Sequence, residues 1–275
     1  PEPLRDPRLG ALATKPAWQR LIVHAAGALQ NLLFGFLICI ILTCTMTAGG
    51  TQIGEFRPVK GETRTSEEQG LMVGDEVIKV GKRHVYIAEQ LYYEIVHQGG
   101  TDEALTLTVR RDGEIRTFDI TFPTQKENGE TFGVIDFVPY AVRKDFGTVV
   151  SQSFHRAGYL VRMVWDSIID LVTGRYSFRA VSGPIGTAGV ISNAAKSGFN
   201  TLLLLTALIS VNLGIFNLLP LPALDGGHIF YTLIELITRR LPAKVVGIID
   251  AVGMFLLFGL MVVVTVKDII TLVFK

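Results

Sequence analysis

The sequence predicts a polytopic α-helical membrane protein, with three transmembrane helices and an α/β domain inserted between the first and the second. Two observations carry this. Charge is distributed in blocks: no Asp, Glu, Lys or Arg lies between Arg20 and Glu55 or from Ser197 to Leu224, and Val245 to Val266 carries only Asp250. Each stretch can supply the roughly 20 helical residues needed to cross a hydrocarbon core about 30 Å thick. Composition agrees, since 49% of the 275 residues are hydrophobic and the mean hydropathy of +0.40 is high for a soluble chain of this length.

The expected order begins with a leader over 1–26 and a span over 27–48. An apolar run behind basic residues also describes a secretory signal peptide. Here the run exceeds the roughly 7 to 15 residues of such a segment and no A-x-A cleavage site follows, so the span is read as retained. Cys39 and Cys44 lie inside it as small apolar residues, and two cysteines so placed define neither a disulfide framework nor a Cys-based metal site. Orientation follows from Arg5, Arg8, Lys15 and Arg20 before the first span and Arg239, Arg240 and Lys244 between the second and third. The positive-inside rule puts both flanks in the cytoplasm, which makes the long region from about 50 to 198 extracytoplasmic. A net charge of +1 without a basic cluster gives no support to nucleic-acid binding.

Residues 50–138 read as a small globular domain. AEQLYYEIVHQGG places Ala88, Leu91, Tyr92, Ile95 and Val96 on one helical face and stops at a Gly pair. ALTLTVRRDGEIRTFDITF alternates through Leu105, Leu107 and Val109, turns at Asp112-Gly113, and continues through Ile115, Phe118, Ile120 and Phe122, a hairpin with one apolar face. A Gly-punctuated turn and a strand near Glu76 to Val80 precede them. The run Gly70-Leu71-Met72-Val73-Gly74-Asp75-Glu76-Val77-Ile78, followed by such a helix and hairpin, resembles the core signature of bacterial PDZ domains. That resemblance implies capture of an extended peptide end by strand addition beside the helix. Pro-Ala usually precedes the Gly-Leu pair, whereas Thr65-Ser66-Glu67-Glu68-Gln69 stands here.

Amphipathic and linker helices are expected over 145–199. Phe154, Val161, Val164, Trp165, Ile168, Ile169 and Val172 share one side, with Arg162, Asp166 and Asp170 opposite, a pattern too charged to span and suited to an interface or to packing on the domain. Ser182-Gly183-Pro184 marks a loop that enters another short helix. The second span, over 200–228, ends in NLLPLPALDGGH, and the third covers 246–268. Pro220 and Pro222 remove donors and interrupt the helix, while Asp225-Gly226-Gly227 permits a sharp turn. A broken helix in a membrane is tolerated where protein or a water-filled cavity satisfies its backbone, which describes a site. On physics alone Asp225 is either part of such a site or the cap of a turn at the interface. Asn212 and Asn217 bring two amides to the same approach.

Ser210-Val211-Asn212-Leu213-Gly214-Ile215-Phe216-Asn217-Leu218-Leu219-Pro220-Leu221-Pro222-Ala223-Leu224-Asp225-Gly226-Gly227 closely resembles the third-span motif of site-2 protease-type intramembrane zinc metalloproteases, M50 family, RseP branch. KPAWQRLIVHAAGALQN, from Lys15 to Asn31, and VSGPIGTAG, from Val181 to Gly189, resemble two further motifs of that branch, and a single PDZ-like unit is similar to its Gram-positive type. The resemblance implies that Asp225 is the third zinc ligand, that Asn217 and Asn212 hold an unwound substrate backbone, and that membrane-anchored proteins with a transmembrane segment, such as anti-sigma factors or signal-peptide remnants, are cut in regulated intramembrane proteolysis. It also implies a bacterial plasma membrane location, a lipid bilayer around the spans, and peptide ends at the PDZ-like unit.

Two departures qualify this. Ala28 replaces the usual Pro of A-A-G-P-x-x-N, with Gly27 and Asn31 in place, and no H-E-x-x-H occurs among the 275 residues. That motif sets two His on one helical face as zinc ligands and supplies the Glu that activates water. The five histidines, His24, His84, His97, His155 and His228, never form it: His24 and His228 are read as outside the metal set, and the other three as surface or packing residues. Because the sequence begins at Pro1 and its first family-like element belongs just before the second span, the motif is expected upstream. The rival expectation is a catalytically inactive remnant acting as a membrane-anchored peptide-binding adaptor. A transporter is disfavoured, because no second half repeats the Pro-interrupted span.

Overall fold

The computed structural model describes residues 15–57, 59, 66–100, 103–127, 130–175, 181–238 and 242–273. Its elements in chain order are α1 (Ala17–Thr45), β1 (Gly49–Phe56), β2 (Glu76–Val80), β3 (Arg83–His84), α2 (Ala88–Gln98), β4 (Leu105–Arg111), β5 (Glu114–Ile120), β6 (Thr124–Glu127), β7 (Glu130–Gly133), β8 (Phe137–Ala141), α3 (Phe146–Thr173), α4 (Pro184–Ser197), α5 (Phe199–Leu218), α6 (Asp225–Thr238) and α7 (Ala243–Val273). Two compact units result: one is Cys39–Tyr159, and the other joins the described residues up to Ile38 to those from Leu160 onward. The expected basic residues Arg5, Arg8, Arg239 and Arg240 and the polar run's Thr65 lie outside the described residues.

In the first unit the strands form an antiparallel sheet in the order β5-β4-β2-β1-β8, with β3 beside β2 and β6-β7 as a separate hairpin. Ile53, Leu71, Val77, Leu91, Ile95 and Leu107 are fully buried in its core. Asp112 and Gly113 both have positive φ, +51° and +84°. This is the primed turn whose twist matches the flanking strands. The register pairs Leu107 with Phe118 and Val109 with Arg116. The expected apolar face is therefore corrected at one position: Ile115 falls on the opposite side and is 69% exposed. Two strand residues must differ by an even number to share a face, and Ile115 is odd against Phe118 and Ile120.

The Gly70-to-Asp75 turn has a physical account. Gly70 and Gly74 adopt φ of +109° and +97°, where a side chain is strained. Asp75 accepts the Met72 N–H at 2.9 Å and a two-pronged contact from Arg111, Nε at 2.6 Å and Nη2 at 2.7 Å, while Arg111 also donates to the Gly70 carbonyl at 2.7 Å. The Gly pair after α2 does more than stop a helix, since a Cβ on Gly100 would stand 2.1 Å from the Thr131 carbonyl of β7. Arg156, buried in α3, donates to Thr43 Oγ1 at 2.7 Å and to Glu89 of α2.

In the second unit α1, α5 and α7 are long and apolar enough to cross a membrane. Helix α1 starts at Ala17, ahead of the span expected from 27, and so includes Arg20 and His24. It packs closely on α5: a Cβ on Gly35 would lie 2.7 Å from Val211 Cγ2, one on Gly214 would lie 2.8 Å from Leu32 Cγ, and Ser210 Oγ donates to the Asn31 carbonyl at 2.8 Å. Small residues and a serine bond are what lets apolar helices approach without a hydrophobic driving force. The second span does not run to 228. Helix α5 ends at Leu218, and Asp225 opens a separate helix.

Helix α3, expected at an interface or packed on the domain, covers two of its carboxylates. Asp166 and Asp170 are buried, whereas Phe154, Trp165, Ile169 and Val172 are exposed, Val172 by 81%. The loop at Ser182-Gly183-Pro184 gains a partner from α7: Asp268 Oδ2 accepts the Gly186 N–H at 2.7 Å, and a Cβ on Gly183 or Gly186 would crowd that carboxylate at 2.9 or 3.0 Å.

Candidate functional site

After α5 the backbone turns extended at Leu219 (φ −66°, ψ +142°), and Pro220 and Pro222 bring no N–H to continue a helix. The chain then folds back on itself so tightly that the next two positions exclude any side chain. A Cβ on Gly226 would stand 2.1 Å from the Leu219 carbonyl oxygen, and one on Gly227 would stand 2.3 Å from that of Leu221. This packing explains the two glycines after Asp225. The Asp225 carboxylate, the first residue of α6, keeps 40% of its side-chain area accessible.

Helix α1 passes beside it. A Cβ on Gly27 would lie 3.2 Å from Asp225 Oδ2, so the glycine leaves room for the carboxylate. One turn earlier, His24 Nδ1 stands 3.6 Å from Asp225 Oδ1. The His24 ring stacks on His228, centroids 4.8 Å apart and planes 17° from parallel, and His228 Nε2 lies 3.7 Å from Asp250 Oδ2. The structure thus gathers His24, Asp225, His228 and Asp250 within one unit. Sequence spacing joins only Asp225 and His228, both on α6; His24 and Asp250 come to them from α1 and α7. The signal for Asp250 was present nonetheless: it is the lone charge in a long apolar stretch.

Among the described residues no three His, Cys, Asp or Glu side chains are arranged to hold a metal ion. Asp225 offers an accessible anionic oxygen, a donor that zinc accepts, and so fits a metal site as one of its ligands; a catalytic zinc takes three from protein. Asn212 is exposed on α5 and Asn217 is half-buried in its last turn, which leaves both amides accessible. Arg20, also on α1, pairs with Glu235 of α6 at 2.8 Å, fastening the two helices that carry the site.

Comparison with known proteins bears on this arrangement. Residues 4–260 match the family model described as peptidase family M50. A Clostridium perfringens protein named as a zinc metalloprotease is 32% identical over 262 residues, covering 94% of this chain and 76% of that protein. Zinc metalloprotease RasP of Geobacillus kaustophilus is 32% identical over 261 residues, 94% of this chain and 60% of its own length. A Staphylococcus aureus protein also named as a zinc metalloprotease is 30% identical over 284 residues, 96% of this chain and 62% of that protein. With nearly the whole chain matched, and an aspartate presented behind a proline-broken apolar helix, the chain belongs to peptidase family M50.

Proposed function

We propose that this chain acts in an intramembrane zinc metalloendopeptidase performing site-2 type cleavage of membrane-anchored proteins, with Asp225 as a zinc ligand. The observation that carries the reading is the accessible Asp225 carboxylate, set at the start of α6 and given room by Gly27, in a chain of a peptidase family whose relatives are named zinc metalloproteases. Zinc bound there supplies Lewis-acid polarisation of the scissile carbonyl. Its other protein ligands are proposed to be the two histidines of an H-E-x-x-H, a motif these 275 residues do not contain.

The chain's own groups serve the substrate. A helical segment shields its peptide bonds, so it must be unwound, and every N–H and C=O freed in an apolar setting must find a partner. Asn217 and Asn212 each carry both a donor and an acceptor for that role. The sheet unit is read as PDZ-like. A groove of about 510 Å³ lies beside α2, lined by Tyr92, Val96, Gln125, Phe132, Val134 and Ile135. Among the described residues β7 pairs with β6 and packs against Gly99 and Gly100 at the end of α2, and an extended peptide is proposed to lie in the groove beside α2. Phe154, Trp165, Ile169 and Val172 of α3, exposed while Asp166 and Asp170 are buried, suit hydrocarbon or an interface better than water. The Arg20–Glu235 pair supports the start of α1 and the end of α6 sharing one side of a bacterial plasma membrane, the cytoplasmic side by its basic residues. No observation favours the adaptor alternative.

The test is zinc content and cleavage of the full-length enzyme with Asp225→Ala. The expected result is loss of zinc from near one per chain and loss of cleavage, with membrane insertion unchanged. Normal zinc and normal cleavage would sink the assignment.

A further inference from the structure

Asp250 is a carboxylate eight residues into the 31-residue, strongly apolar α7, and an ionisable group in such a helix is costly unless it serves partners. Its partners are specific. Oδ1 accepts the Ala223 N–H at 3.0 Å and the Tyr231 hydroxyl at 3.2 Å, and Oδ2 lies 3.7 Å from His228 Nε2. Ala223 has φ of +67°. A residue with a side chain rarely adopts that left-handed conformation, which persists only where the surroundings over-determine it. Within one turn on α7, Gly253 admits the same loop from below: a Cβ there would stand 2.4 Å from Pro222 Cβ and 3.2 Å from the Pro222 carbonyl carbon. Helix α7 therefore grips Pro222 and Ala223, the residues that set the direction in which the chain enters α6 at Asp225.

We propose that Asp250 is a positioning residue for Asp225. By accepting the Ala223 N–H it holds the left-handed turn that aims the Asp225 carboxylate, and through His228, stacked on His24, it steadies the imidazole facing that carboxylate from α1. The inference rests on the reading of Asp225 as a zinc ligand. It makes α7 part of the site, although α7 itself supplies no ligand. Groups that act behind a ligand commonly change metal affinity 10- to 100-fold when removed.

The experiment measures zinc affinity of the purified full-length enzyme by competition with a chelator, for Asp250→Leu, Asp250→Asn, Ala223→Gly, the double variant Asp250→Leu with Ala223→Gly, and Asp225→Asn. Asp250→Leu is expected to weaken zinc about 10- to 100-fold. Asp250→Asn keeps an acceptor oxygen for the Ala223 N–H and is expected to stay within a few-fold of the wild type. Ala223→Gly alone changes little, and in the double variant it recovers most of the loss, because glycine takes the left-handed turn unaided. A role for Asp250 in packing alone would not be rescued from position 223. Should Asp250→Leu fail to accumulate, the rescue is read as recovered folded protein. Unchanged affinity in Asp250→Leu while Asp225→Asn loses zinc, or no recovery in the double variant, overturns the proposal and leaves the zinc reading standing. Unchanged zinc in Asp225→Asn overturns that reading and the proposal with it.

Discussion

Gly27 and His24 show how finely one carboxylate is framed. A methyl group on Gly27 would stand 3.2 Å from Asp225 Oδ2, tighter than an ordinary contact, so under the proposal that Asp225 is a zinc ligand Gly27→Ala should push the carboxylate and weaken zinc binding by about tenfold, the lower end of what groups behind a metal ligand do. Chelator competition on the full-length enzyme checks this, with unaltered circular dichroism showing an intact fold. His24 Nδ1 faces the other oxygen at 3.6 Å. His24→Asn, which keeps a donor, is expected to retain more zinc affinity than His24→Phe, which keeps only the stack on His228. Equal affinities would mean that the ring packs without positioning Asp225. Asp225 itself was legible in the sequence, because an acid behind two prolines and before two glycines in an apolar run is conspicuous. Its neighbours were legible only in part. His228 stands three residues from Asp225 and is its helical neighbour in the sequence, but His24 meets the two only because α1 and α6 pack together, and Asp250 reveals its contacts only through the backbone of Ala223.

The elements were readable wherever local chemistry decides them. Helix α2 and the β4–β5 hairpin follow from spacing and from Asp112-Gly113, yet Ile115 was set on the wrong face because an apolar residue beside a turn looks like part of the stripe. Helix α3 was harder, since period alone gives two faces without saying which one the protein covers. The Asp75–Arg111 pair shows what a buried charge demands. Asp75 is 1% exposed and Arg111 12%, so Arg111→Met, which strands a buried carboxylate, should destabilise the sheet unit by about 3–5 kcal/mol. Thermal unfolding of the full chain in detergent is the measurement. A second expectation concerns pH. Burial pushes the His155 imidazole below its ordinary value, so the folded unit favours the neutral ring stacked on Tyr86. The stabilisation is complete above the unfolded value of about 6.5 and is lost as pH falls below that and through the lower value of the folded state. Melting temperature should therefore decline from pH 7.5 to 5.5, and His155→Phe should flatten that decline.

At the scale of the whole molecule, the charge-free stretches that predicted three spans became α1, α5 and α7, but the ends moved for physical reasons. Helix α1 begins early because nothing from Ala17 to Leu29 breaks a helix, and α5 ends early because Pro220 and Pro222 do. The outermost helix by exposure is α7, with Phe255 80%, Leu256 66% and Phe258 63% exposed, surface that water would solvate poorly and lipid well. The two cysteines turn this into a test of topology. Cys39 is buried in α1, whereas Cys44, in its last turn, is exposed beside Lys144, whose ammonium donates to the Cys44 carbonyl at 3.0 Å. If the spans cross with the basic leader in the cytoplasm, Cys44 emerges on the outer face. A membrane-impermeant maleimide added to intact cells should then label the chain once, and Cys44→Ser should abolish labelling while Cys39→Ser leaves it unchanged. Labelling that appears only after the cells are opened would reverse the orientation and with it the expectation that the sheet unit meets peptides outside the cell.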